Sequence, residues 1–176
     1  MNTHKIRLTL AGLILLTLSL AGCMRTIDYM VVGVGTPKGN EIFITNITFD
    51  DEWSAIGGTV SCCWSWAGGL HGVYNRSAPK SVYVQWYDYD PETRYEATIP
   101  LSNELYDLAT DLPVYQVIHN KRIESNIHPY LILGFSETGE LVVWISNAPH
   151  DENISGRVLH EVGRAQAKVL ELNQAE

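Results

Sequence analysis

Ser81 to Tyr89 reads SVYVQWYDY and Arg94 to Ile99 reads RYEATI, with Asp90-Pro91-Glu92-Thr93 between them. Side chains alternate sides along a strand. Val82, Val84 and Trp86 therefore fall on one face, and Tyr83, Gln85 and Tyr87 on the other. A turn between two such runs makes a β-hairpin. A chain built on this pair must bury one face of a sheet, and its other segments must supply the cover.

Most of those segments are also strands. Ile27 to Val34 (IDYMVVGV) is β-branched and aromatic. Glu41 to Phe49 (EIFITNITF) places Ile42 and Ile44 on one face and Phe43, Ile47 and Phe49 on the other, which predicts a strand covered on both sides at least over its first half. Gly57 to Trp64 (GGTVSCCW) is a third strand entered through two glycines. Tyr130 to Phe135 and Glu140 to Ser146 form a second hairpin about a turn that ends in Gly139. Ala67 to Pro79, rich in Gly, Ser and Asn, reads as a loop. Val114 to His128 fits neither period. A short helix is expected from Ser102 or Asn103 through Leu112, ended by Pro113. A longer helix is expected from Gly156 to Asn173, because Val158, Val162, Ala165, Val169 and Leu172 follow helical spacing. The expected fold is α+β and mostly β, an antiparallel sheet or sandwich built of hairpins with a C-terminal helix.

The N-terminus carries an address. His4, Lys5 and Arg7 precede an apolar run, Leu8 to Leu20, and then Leu20-Ala21-Gly22-Cys23. A basic start, an apolar core and small residues before a break describe a secretory signal. The run is too short for a span, which needs about 20 apolar residues. The Cys after Leu-Ala-Gly is the pattern of a bacterial lipoprotein, with Cys23 as the lipidated residue. The expected organisation is a signal peptide at residues 1–22 and one globular β-rich domain at 23–176. Met24, in place of an Asp, points to the outer membrane and its periplasmic side.

Charge narrows the function. The chain carries 12 Lys+Arg against 20 Asp+Glu, a net charge of −8. Loss of residues 1–22 takes away Lys5 and Arg7 and no acid, which leaves −10. A protein that neutralises phosphates carries the opposite surplus, so nucleic acid is excluded as a general partner. Apolar residues make up 45% of the chain, too many for a disordered one.

Catalytic patterns are missing. No Gly-x-Ser-x-Gly, HExxH or phosphate loop occurs. His71 sits in a glycine-rich stretch, and His150-Asp151 are neighbours, a poor base-and-orienter geometry. The histidines lack metal-ligand spacing. No cofactor and no enzymatic activity are expected. Cys62 and Cys63 are adjacent, so they form either a strained vicinal disulfide or two free thiols. In a strand they would point to opposite faces, which favours two structural thiols.

Aromatic residues crowd between Trp53 and Tyr95, and alternation turns some of them outward. Exposed Tyr and Trp beside acids suit a protein-binding surface. The residues expected to touch a partner are Trp66, His71 and Tyr74 in the stretch around Ala67–Pro79, and Asp88, Tyr89, Asp90 and Glu92 at the hairpin tip.

Gly57 to Trp64, Ser81 to Pro100 and Glu140 to Ser146 together resemble lipoproteins of the type VI secretion lipase immunity (Tli) type. The shared signs are Gly-Gly before Ser-Cys-Cys, a Val-x-Val-x-Trp strand, a Tyr-Glu-Ala-Thr return strand and a late Val-Val-Trp strand. The resemblance implies a non-enzymatic inhibitor that binds a secreted antibacterial phospholipase at the membrane under attack. A structural or assembly lipoprotein of the cell envelope is the competing expectation.

Overall fold

The computed structural model describes residues 25–89 and 92–170. In chain order the strands are β1 (Thr26–Gly35), β2 (Ile42–Phe49), β3 (Trp53–Ala55), β4 (Gly58–Val60), β5 (Gly68–Ser77), β6 (Ser81–Tyr89) and β7 (Glu92–Pro100). A short helix, α1 (Leu105–Thr110), follows. Then come β8 (Tyr115–Val117), β9 (Arg122–Glu124), β10 (Tyr130–Phe135), β11 (Glu140–Ser146), β12 (Ile154–Ser155), β13 (Leu159–Gln166) and β14 (Lys168–Leu170). The molecule is mostly β.

One sheet runs β13-β11-β10-β1-β5. A second runs β14-β7-β6-β2-β3, with β4 also on β2, and a small third runs β12-β8-β9. The pairing of β1 with β10 is parallel, and the other pairs are antiparallel. A single buried cluster draws on both large sheets. Met30, Val32, Leu131, Leu133 and Val143 come from the first, and Ile42, Ile47, Val82, Val84, Trp86 and Ile99 from the second. The β6–β7 hairpin lies as its alternation predicts, with Val82, Val84 and Trp86 buried. The β10–β11 hairpin is also present, and Gly139 holds a positive φ of 77° at its turn.

Five expectations are corrected. The strand β2 is not covered on both faces. A register shift between Ile44 and Asn46 inserts one residue. A bulge of this kind flips the alternation, so Ile42, Ile44, Ile47 and Phe49 all reach the core, while Phe43 is 39% exposed.

The C-terminal helix is absent: Gly156 to Leu170 holds β13 and β14, and Leu172 lies outside the described residues. Helical spacing misled because, of its apolar positions, only Val162 is deeply buried. Gly163 has no side chain, which lets β13 lie against Ile99 and Leu101; a Cβ there would come within 2.8 Å of Ile99 Cγ2. Two sheet edges needed cover, and β13 on β11 and β14 on β7 supply it.

Residues 68–77 are a strand and not a loop. The glycines there serve close approach, since a Cβ on Gly68 would stand 2.9 Å from Val34 O. The strand expected over Gly57 to Trp64 ends at Val60. The chain from Cys62 to Ala67 instead folds over β1. Gly33 and Gly35 make room for it: a Cβ on Gly33 would lie 2.6 Å from Ala67 Cα, and one on Gly35 2.7 Å from Trp66 O.

The helix α1 is shorter than expected. Ser102 Oγ accepts the Glu104 N–H at 3.1 Å, and Leu105 and Ala109 face the core. Beside this helix start, across one shared hollow, Asp50 ties the start of β6. Its carboxylate accepts the Lys80 and Ser81 N–H groups and the Ser81 hydroxyl.

Candidate functional site

With Val82, Val84 and Trp86 committed to the core, β6 presents Tyr83, Gln85, Tyr87 and Tyr89 to the outside. The register sets Thr98, Glu96, Arg94 and Glu92 opposite them on β7, and Phe43 of β2 opposite Tyr87. A shallow hollow of about 710 Å³ follows this face, with Phe43, Thr45, Gln85, Tyr87, Arg94 and Leu170 in its lining. Tyr87 and Tyr89 meet edge to face at 5.1 Å, and Tyr89 is 46% exposed. Rings and both signs of charge thus share one rigid platform.

The phenols are held in their neutral form. Tyr83 is raised above the usual tyrosine range, by burial first and then by its hydrogen bond to Glu96 Oε2 at 2.9 Å. Tyr87 is raised by burial first, then by the Glu92 and Tyr89 charges, against a lowering by Arg94. Both are therefore donors at neutral pH. Glu92→Gln removes a negative neighbour, so the Tyr87 titration should move down toward the ordinary value. Carbon NMR of the tyrosine Cζ signals checks this, and an upward move would contradict the assigned cause.

The residues expected to touch a partner do not converge. Tyr89 and Glu92 belong to the platform. Asp88 does not, because it faces inward between Thr93 and Ile42 and is 1% exposed. Asp90 lies outside the described residues. The other three belong to the opposite sheet. Trp66 donates its Nε1–H to Asp151 Oδ1 at 2.8 Å and tilts against His150 at 5.4 Å. His71 is half-buried opposite Val32, and Tyr74 stands exposed beside Tyr29 at 4.7 Å. Phe43 and Arg94 complete the platform and were not expected there. Their signal was alternation, since Phe43 opposes the two buried isoleucines beside it.

Cys62 and Cys63 are joined in a disulfide. The reading of two thiols on opposite faces of a strand gives way, because no strand runs through them. The loop that carries them is fixed on the outer side of the first sheet. Trp64 meets Trp144 edge to face at 5.1 Å, Trp66 N–H donates to Cys63 O at 3.0 Å, and Arg157 donates to Ser65 O. Burial lowers the Arg157 guanidinium pKa, and the Asp151 charge opposes that.

Cys23 and the leader at 1–22 lie outside the described residues. Among the described residues, no helix is long and apolar enough to cross a membrane. No group of three or more His, Cys, Asp or Glu side chains among them could hold a metal ion.

Comparison with curated proteins and with solved structures returns no match. Residues 25–176 match the family described as "Protein of unknown function (DUF2931)". That span takes in every strand above and the platform itself, and on it the chain belongs to the DUF2931 family.

Proposed function

We propose that the protein is a lipoprotein, anchored through Cys23 to the outer membrane on its periplasmic side, that works by binding another protein and not by catalysis. Its partner in this reading is a secreted antibacterial phospholipase delivered by a type VI system, which it neutralises. The observation that supports binding is the platform of Phe43, Tyr87 and Tyr89 flanked by Glu92 and Arg94 on a paired sheet. Aromatic and arginine side chains on a rigid surface are the usual anchors of protein interfaces. In this reading the two sheets form a sandwich that keeps the platform flat. A tether raises local concentration at the membrane, and a charge of −10 favours fast capture of a basic partner.

The test uses the chain from Cys23 onward with Cys23→Ser as bait in periplasmic extract. A stoichiometric lipase whose toxicity is neutralised on mixing supports the reading. Recovery of envelope or secretion components, with no toxin, overturns it in favour of an assembly lipoprotein.

A further inference from the structure

Outside the platform, the strongest unexplained surface lies on the other side of the molecule. Residues 114–123 carry His119, Lys121 and Arg122 and no acid, in a chain of net charge −8. The same segment leaves Val114, Ile118 and Ile123 each more than half exposed, at 52, 54 and 56%. It forms the β8–β9 hairpin, where Arg122 pairs with Glu124 at 3.0 Å.

The placement of this hairpin is fixed at its base. Thr110 and Ile127, which bracket the segment, line one hollow together with Thr26 and Tyr29 of β1. His128 meets the Tyr29 ring edge-on at 4.8 Å. Burial first, and then Tyr115 of β8, Tyr29 of β1 and Glu124 of β9, raise the Tyr130 phenol above the usual tyrosine range. The hairpin therefore stands over the outer side of the first sheet. Tyr74, 67% exposed and 4.7 Å from the Tyr29 ring, shares that side.

We infer that this side, led by the β8–β9 hairpin, is the surface that rests on an anionic phospholipid bilayer. The inference rests on the anchored reading for its biological setting. The chemistry is that of interfacial contact: exposed aliphatics enter the headgroup region while neighbouring bases meet lipid phosphates. The chain enters β1 on the same sheet, three residues after Cys23, so an anchored domain reaches this posture by tilting alone. Asp151, which accepts from Trp66, lies on this side too, and Glu124 already pairs with Arg122, so attraction concentrates at Lys121. The platform, on the outer face of the other sheet, then faces away from the lipid.

The test supplies the tether chemically. Both buried clusters lie between Ile27 and Val162, so the chain from Cys23 holds its whole core. Under non-reducing conditions Cys23 is coupled to a maleimide lipid in vesicles of phosphatidylethanolamine with a minor share of phosphatidylglycerol. Lysine acylation is then read by mass spectrometry against the same chain in solution. Lys121 is expected to react about fivefold more slowly on the vesicles, and Lys38, in the turn after β1, at an unchanged rate. Ile118→Asp with Ile123→Asp should restore the Lys121 rate without lowering the melting temperature, because both side chains are exposed. Equal rates at Lys121 in the two settings, or equal shielding of Lys38, overturns the inference. Cell fractionation of Cys23→Ser tests the anchor separately. A chain that fractionates alike with and without Cys23 defeats the anchored reading but leaves the vesicle result standing.

Discussion

Trp86→Ala is expected to cost the domain about 3–5 kcal/mol, the range for removing a large aromatic from a packed core. Trp86 is 1% exposed and sits where the two large sheets meet. It stacks on Tyr95 of its own sheet at 5.1 Å and meets Phe135 of the other edge-on at 5.0 Å. Domains of this size hold about 5–15 kcal/mol in all, so the variant should unfold at much lower urea. Trp86→Phe should be milder, because it removes fewer buried atoms and leaves a smaller cavity. Its ring keeps both aromatic neighbours, and the lost Nε1–H has no hydrogen-bond partner among the described residues. Urea titration followed by circular dichroism separates the two. If both variants cost the same, the indole ring is not what joins the sheets.

Tyr87→Ala is expected to weaken partner binding by about 2 kcal/mol, roughly 30-fold, the scale of an interface anchor. Tyr87 lies between Phe43 on β2 and Arg94 on β7, so its loss opens the centre of the platform. The fold should be unmoved, because the side chain points away from the core. Tyr74→Ala removes an equally aromatic and more exposed ring from the opposite side, and binding should stay within about twofold of the parent. Calorimetry with the partner recovered by the pull-down checks both. The reverse ranking would move the interface to the first sheet.

The parts of the fold legible in the sequence are those where neighbours in the chain are neighbours in space. The hairpin β6–β7 shows alternation on both arms, the hairpin β10–β11 joins two apolar strand runs, each has a short connection, and both are present. Failure came where a distant contact set the local structure. Gly68 and Gly72 read as loop residues, yet β1 lies against them; a Cβ on Gly72 would touch the Tyr29 ring at 3.0 Å. The bulge in β2 left no mark in EIFITNITF, so Ile47 and Phe49 were set on the wrong face. Gly156 to Asn173 met the helical period by coincidence of spacing, and the demand for edge cover prevailed. The candidate site was half legible for the same reason. Tyr89 and Glu92 follow from their hairpin, whereas Asp88 turns inward with the alternation of Val84 and Trp86. Phe43 turns outward by alternation, but it meets Tyr87 through the pairing of β2 with β6.

The parallel pairing of β1 with β10 bears on when this chain can fold. Val31 finds Tyr130, and Gly35 finds Gly134, across about a hundred residues of intervening chain. β1 therefore waits for about a hundred residues of chain before its place between β10 and β5 exists. Such long-range closure is slow, on the scale of milliseconds to seconds for β topologies. In the anchored reading proposed above, where the chain is exported, that delay is an advantage. Threading needs an extended polypeptide, and this topology withholds a stable fold until the last third has arrived.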